Sequence, residues 1–128
     1  MKIIRSIIQI IILKGCDNLS QYKVNYKIWL EKEDKVFGQG PKEILELIEE
    51  TGSLNQAARK MNMSYSQAWN LIKTLEERLG FKLISTQAGG KGGGGSSLTE
   101  ESQKLLKKYS SFIEEAEKSL KELEEKFF

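Results

Sequence analysis

Six side chains between Tyr65 and Lys73 could do the most specific chemistry in this sequence: Tyr65, Ser66, Gln67, Trp69, Asn70 and Lys73. They donate, accept or stack, and none in the first two helical turns is acidic. On a helix they form the face opposite an apolar stripe. Such a face suits a groove whose base edges offer donors, acceptors and methyl groups. The plainer reading is a helical hairpin whose outer side is only solvated.

Composition closes off other chemistry. The 128 residues include no histidine and one cysteine, Cys16. That removes Ser-His-Asp and Cys-His nucleophile arrangements and ordinary zinc sites. A single cysteine forms no intrachain disulfide and fits a reducing cytoplasm. The carboxylates mostly alternate with lysines on helix surfaces, where solvated faces are the usual explanation. No catalytic residue, metal or cofactor is expected. Formal net charge is only +2, so whole-chain charge does not argue for nucleic acid. A footprint must come from local placement of Arg59, Lys60, Lys73, Lys82 and Lys91.

The polar face needs elements to hold it. Ser53 is followed three residues later by Gln56, and Ser64 by Gln67. Each pair predicts a capping box, in which the hydroxyl and the amide satisfy orphan backbone N–H groups reciprocally. Only Met61-Asn62-Met63 separates the two helices. Leu54, Ala57, Ala58 and Met61 share one face of the first helix. Ala68, Leu71, Ile72, Leu75 and Leu79 form the apolar stripe of the second. Helix, corner and longer helix make a helix-turn-helix outline. A third helix is predicted from Pro41 to about Thr51, with Ile44, Leu45, Leu47 and Ile48 inward and Gly52 as its stop.

After Gly80, Phe81 to Thr86 reads as a strand. A glycine-rich tip follows over residues 87–97, and apolar character resumes at Leu98. Strand, glycine tip and return strand directly after such a helix have the layout of a wing, with Lys91 as its charge. A flexible linker is the competing reading. Gly90, Gly92 and Gly95 also satisfy G-x-G-x-x-G, but a run this rich in glycine matches almost automatically. No βαβ unit surrounds it, so no nucleotide is expected.

Upstream, Ile3, Ile4, Ile7, Ile8, Ile11 and Ile12 suit one side of a helix or a strand. The run is too short to span a bilayer and lacks a cleavage site for a signal peptide. An appendage from an early start codon is a third reading; packing against protein, the domain or a dimer partner, is expected. Tyr22, Val24, Tyr26, Ile28 and Leu30 alternate with polar residues, predicting a half-buried strand with a short return at Val36-Phe37. Trp29 falls on its polar side, covering an edge or meeting a partner. Downstream, Leu106, Tyr109, Ile113, Ala116, Leu120, Leu123 and Phe127 alternate steps of three and four, an a/d seam over about three heptads. That seam predicts a homodimer. A helix folded back on its own domain is the alternative.

The residues 52–58, Ser64-Tyr65-Ser66-Gln67-Ala68-Trp69, and Gly89-Gly90-Lys91-Gly92-Gly93-Gly94-Gly95 with Leu98-Thr99 resemble the N-terminal DNA-binding domain of ModE-type molybdate-responsive regulators. Leu75-Glu76-Glu77-Arg78-Leu79-Gly80 is also similar to LysR-type regulators. The resemblance covers about Lys27 to Tyr109 and leaves residues 1–21 outside. It implies an α+β, mostly α fold: a winged helix-turn-helix with an N-terminal β-hairpin and a long C-terminal dimerisation helix. Domain bounds of 1–21, 22–99 and 100–128 follow. It implies double-stranded DNA as partner, through Ser53, Gln56, Ser64, Tyr65, Ser66, Gln67, Trp69, Asn70 and Lys73, with Gly90, Lys91 and Gly92 approaching the backbone. Trp69 fits either a base contact or packing between helix and wing. The chain ends before the family's oxyanion-binding domain, so molybdate or tungstate binding is not expected, nor is a membrane. The expectation is a cytoplasmic, dimeric transcriptional regulator without enzymatic activity. A protein-interaction module built on a winged helix is the rival.

Overall fold

Two glycines end the helices that matter most. Gly52, at φ 69°, closes α1 (Gln39–Thr51), and Gly80, at φ 84°, closes α3 (Tyr65–Leu79). Both take the left-handed conformation that glycine adopts without a Cβ penalty, and each donates its N–H back into its helix. Between them lie α2 (Leu54–Lys60) and a corner at Asn62, which sits at φ 55°. A short polar side chain is what that region tolerates.

The computed structural model describes residues 22–87 and 95–128. The Ile-rich run at 3–12 and the predicted wing residues Gly90, Lys91 and Gly92 lie outside the described residues. The element order is β1 (Leu30–Glu31), β2 (Lys35–Phe37), α1, α2, α3, β3 (Ile84–Thr86), β4 (Ser96–Leu98) and α4 (Glu100–Phe127). β1 pairs antiparallel with β2, and β3 with β4 in the register Ile84↔Leu98, Ser85↔Ser97, Thr86↔Ser96. Among the described residues, no helix is long and apolar enough to cross a membrane.

The chain divides into two units: Lys27–Glu114, and the segment up to Tyr26 together with Glu115–Phe128. The first unit holds the core. Phe37, Ile44, Leu45, Ile48, Ala57, Ala58, Ala68, Ile72 and Leu83 are fully buried. Ala57 and Ala58 are the small side chains that α2 gives to this core. Leu106 and Tyr109 of α4 join this core, and Ile113 packs on it. The Tyr109 ring meets Phe37 nearly edge-on at 5.0 Å, and its hydroxyl donates to the Ile28 carbonyl at 2.7 Å. In the second unit the Val24 N–H donates to Glu124, and the Tyr22 ring meets Phe128 at 5.5 Å.

The predicted strand over Tyr22–Leu30 is much shorter than its alternation implied. Only Leu30 and Glu31 find a ladder, because the return strand offers just Lys35–Phe37. Period-two spacing permits a strand, but pairing makes one. Tyr22 and Tyr26 are exposed. Trp29 is 44% exposed; its indole N–H donates to Glu31, and the Lys35 ammonium lies over its ring. The strand predicted from Phe81 begins only at Ile84, since the backbone before it is tied to side chains.

Candidate functional site

The predicted polar face is exposed while its opposite is buried. Tyr65, Ser66, Gln67 and Asn70 of α3 reach solvent; Ala68, Ile72 and Leu75 are sealed in the core. The N-terminus of α3 is fixed by a complete capping box: the Gln67 N–H donates to the Ser64 hydroxyl at 3.1 Å, and the Ser64 N–H to Gln67 Oε1 at 3.0 Å. The box occupies the Gln67 amide oxygen and leaves its NH2 group able to donate outward. The box predicted at Ser53 is only half formed. Its hydroxyl accepts the Gln56 N–H at 3.2 Å, but the Ser53 N–H donates instead to the Thr51 hydroxyl. Thr51, at the end of α1, takes the role assigned to Gln56. The Gln56 side chain is exposed.

Aromatic groups stack along α3 at four-residue spacing. The Tyr65 ring, half exposed, lies nearly parallel to Trp69 at 6.3 Å with an 18° interplanar angle. Trp69 is partly buried and packs against the core. The Lys73 ammonium sits 4.4 Å from the Trp69 ring centroid, a cation–π distance. So Trp69 is held between core, tyrosine and lysine, and Tyr65 is the more accessible ring.

Lys73 is also engaged. Its ammonium lies 2.9 Å from Glu76 Oε1, while Glu76 Oε2 accepts the Leu83 N–H at 2.7 Å, with Ile84 N further off at 3.5 Å. Burial alone would raise the Glu76 carboxyl; the hydrogen bond from Lys73, the backbone N–H groups and the lysine charge outweigh it and lower it. Reading the sequence as alternating surface charge missed Glu76. The signal was the four-residue step from Gly80 to Ile84, which returns the chain over the last turn of α3.

The β3–β4 hairpin is rooted in all three neighbouring helices. Glu76 holds its start from α3. The Thr99 hydroxyl donates to the Lys82 carbonyl and the buried Ser102 hydroxyl to the Leu83 carbonyl, each at 2.6 Å, beside the first turn of α4. The Ser96 N–H donates to the Gly52 carbonyl after α1 at 2.8 Å. The paired strands β3 and β4 thus follow α3, with the backbone just before them held by Glu76.

The predicted dimer seam is divided. Leu106 and Tyr109 are consumed by the core of their own chain, and Ile113 leans on it. In the second unit Ala116 and Leu120 are half-buried, whereas Leu123 and Phe127 are 48% and 66% exposed. Among the described residues, no group of His, Cys, Asp or Glu is placed to hold a metal ion.

Residues 43–103 match the model of the lysR family of bacterial regulatory helix-turn-helix proteins. The chain is 35% identical over 83 residues to the molybdenum transport protein ModE of Azotobacter vinelandii, covering 65% of this chain and 31% of that protein. It is 35% identical over 82 residues to the DNA-binding transcriptional dual regulator ModE of Escherichia coli, covering 62% and 31%. The chain thus spans under a third of the length of these relatives. The fold is similar to that of a point mutant of ZitR from Lactococcus lactis, with a TM-score of 0.53 at 21% identity over 100% of this chain and 86% of that one.

Proposed function

We propose that this chain, whose residues 43–103 are a LysR-type helix-turn-helix similar to that of ModE proteins, is a cytoplasmic, sequence-specific DNA-binding transcriptional regulator that works as a homodimer. The observation that carries the reading is α3: a fully capped helix with its apolar side buried and an uncharged polar side exposed. Tyr65, Ser66, Gln67 and Asn70 face base edges in the major groove, with Trp69 behind them and Lys73 at their edge. Ser53, Gln56 and Ser64 sit at helix N-termini, where backbone N–H groups favour phosphate. Gly90, Lys91 and Gly92 approach the backbone from the hairpin. Selecting bound sequences from a random duplex pool tests the reading. It should return two inverted half-sites centred about one helical turn, or a multiple of it, apart; failure to enrich any sequence refutes it.

Two substitutions check the parts. Lys91→Ala should weaken binding to all duplexes about equally and lower the salt slope by roughly 0.9, as loss of one phosphate contact requires. Altered sequence preference would show that Lys91 reads bases instead. For the dimer, the half-buried Leu120 and exposed Leu123 and Phe127 form the available seam. Leu120→Glu should convert dimer to monomer by placing a charge in an apolar contact, read as solution mass. A mass unaffected by the change places the interface elsewhere.

The same exposed Leu123 and Phe127 favour a second reading, in which the long helix docks another protein and DNA is not bound. A salt series separates the two. Duplex binding falls steeply as salt rises, whereas apolar docking is nearly indifferent.

A further inference from the structure

We propose that Glu76 is a positioning residue that withholds Lys73 from the DNA backbone, so that α3 binds through base-reading groups more than through charge. The inference rests on the DNA-binding reading above and concerns the same face.

Lys73 projects from the third turn of α3, where a lysine beside a groove would ordinarily pair with phosphate. Here its ammonium already has two partners: Glu76 Oε1 at 2.9 Å and the Trp69 ring at 4.4 Å. A surface ion pair alone would compete weakly with a polyanion. This pair differs in how the carboxylate is held. The Glu76 side chain is only 9% exposed, and its second oxygen accepts the Leu83 N–H at 2.7 Å. It cannot swing out to follow the lysine without releasing the root of the hairpin. Were Lys73 to leave for a phosphate, a largely buried carboxylate would lose its counter-charge and face an approaching polyanion of the same sign. Both consequences oppose the exchange.

The same carboxylate therefore fixes the hairpin root and neutralises the nearest lysine. What remains accessible between Tyr65 and Asn70 is uncharged. Non-specific affinity, which comes almost wholly from phosphate contacts, is kept down, and the share left to base contacts rises.

The test measures duplex affinity against salt, on a selected site and on a random-sequence duplex, for the full chain and three variants. Glu76→Gln keeps a carbonyl oxygen for the Leu83 N–H but frees Lys73. Its salt slope should steepen by roughly 0.9, one added phosphate contact, so that between about 50 and 200 mM salt it loses roughly 3.5-fold more affinity than the wild type. Its preference for the selected site should shrink. The double variant Glu76→Gln/Lys73→Met should return to the wild-type slope. Lys73→Met alone should weaken binding, through an uncompensated Glu76 carboxylate and a less supported Trp69, without the fall in slope of roughly 0.9 that loss of a phosphate contact requires; this variant decides the matter if Glu76→Gln does not fold. A slope lowered by about 0.9 in Lys73→Met, or unaltered in a folded Glu76→Gln, overturns the inference and leaves the DNA reading standing. A wild-type chain without salt-dependent duplex binding sinks both.

Discussion

Phe37→Ala should cost the Lys27–Glu114 unit about 3–5 kcal/mol, the largest stability loss expected from a single substitution here. Phe37 is fully buried. Its ring contacts Tyr109 of α4 nearly edge-on at 5.0 Å, and it stands opposite Leu30 in the β1–β2 ladder. Removing the ring costs the transfer energy of its atoms and leaves a cavity that β2 cannot readily close, because its pairing with Leu30 and Glu31 sets its register. Tyr109 would lose a flat partner while its hydroxyl stayed tied to the Ile28 carbonyl. A domain of this size shifts its melting midpoint by roughly 4–8 °C per kcal/mol, so a thermal melt should move down by more than about 10 °C. A shift under about 5 °C would show that the cluster of Phe37, Ile44 and Ile48 is not the cooperative centre of the unit.

The parts of this fold that were legible in sequence are those with local determinants. Ser64 and Gln67 announce the start of α3 because a capping box closes within four residues. Gly52 and Gly80 announce the helix ends because only the backbone of the same turn is involved. Ile44, Leu45 and Ile48, and Ala68, Ile72 and Leu75, are buried as their spacing predicts. Where the outcome depended on a partner outside the element's own repeat, the reading ran short. The alternation at Tyr22–Leu30 could not reveal that the return strand is three residues long. The seam from Leu106 to Phe127 could not reveal that its first two members face their own core. The half-formed box at Ser53 depended on Thr51, whose hydroxyl accepts the same N–H. Glu76 is the sharpest case. Its period placed it beside the apolar stripe, yet its partners are the Leu83 N–H, seven residues on, and a lysine three residues back.

Asn70→Ala should lower affinity for the selected site by about 5- to 150-fold, the equivalent of roughly 1–3 kcal/mol for a lost bidentate base contact. Asn70 is exposed on α3, one turn beyond Ser66 and clear of both the capping box and the Trp69–Lys73–Glu76 group. Its amide presents a donor and an acceptor together, the pair that matches adenine N7 and N6 in the major groove. Because the side chain carries no charge, binding to a random-sequence duplex should not change, and neither should the salt slope. Because it holds up no buried group, the unfolding free energy should stay within about 0.5 kcal/mol of the wild type. The three measurements together separate reading from folding and from charge. Loss of binding on the selected and random duplexes alike would mean that Asn70 holds the backbone, and the base-reading face would then contract to Tyr65, Ser66 and the free amide nitrogen of Gln67. Retention of full affinity and selectivity would show that α3 does not enter the groove by this side, and the docking of the helix-turn-helix would have to be redrawn around α2 and the N-terminus at Ser53.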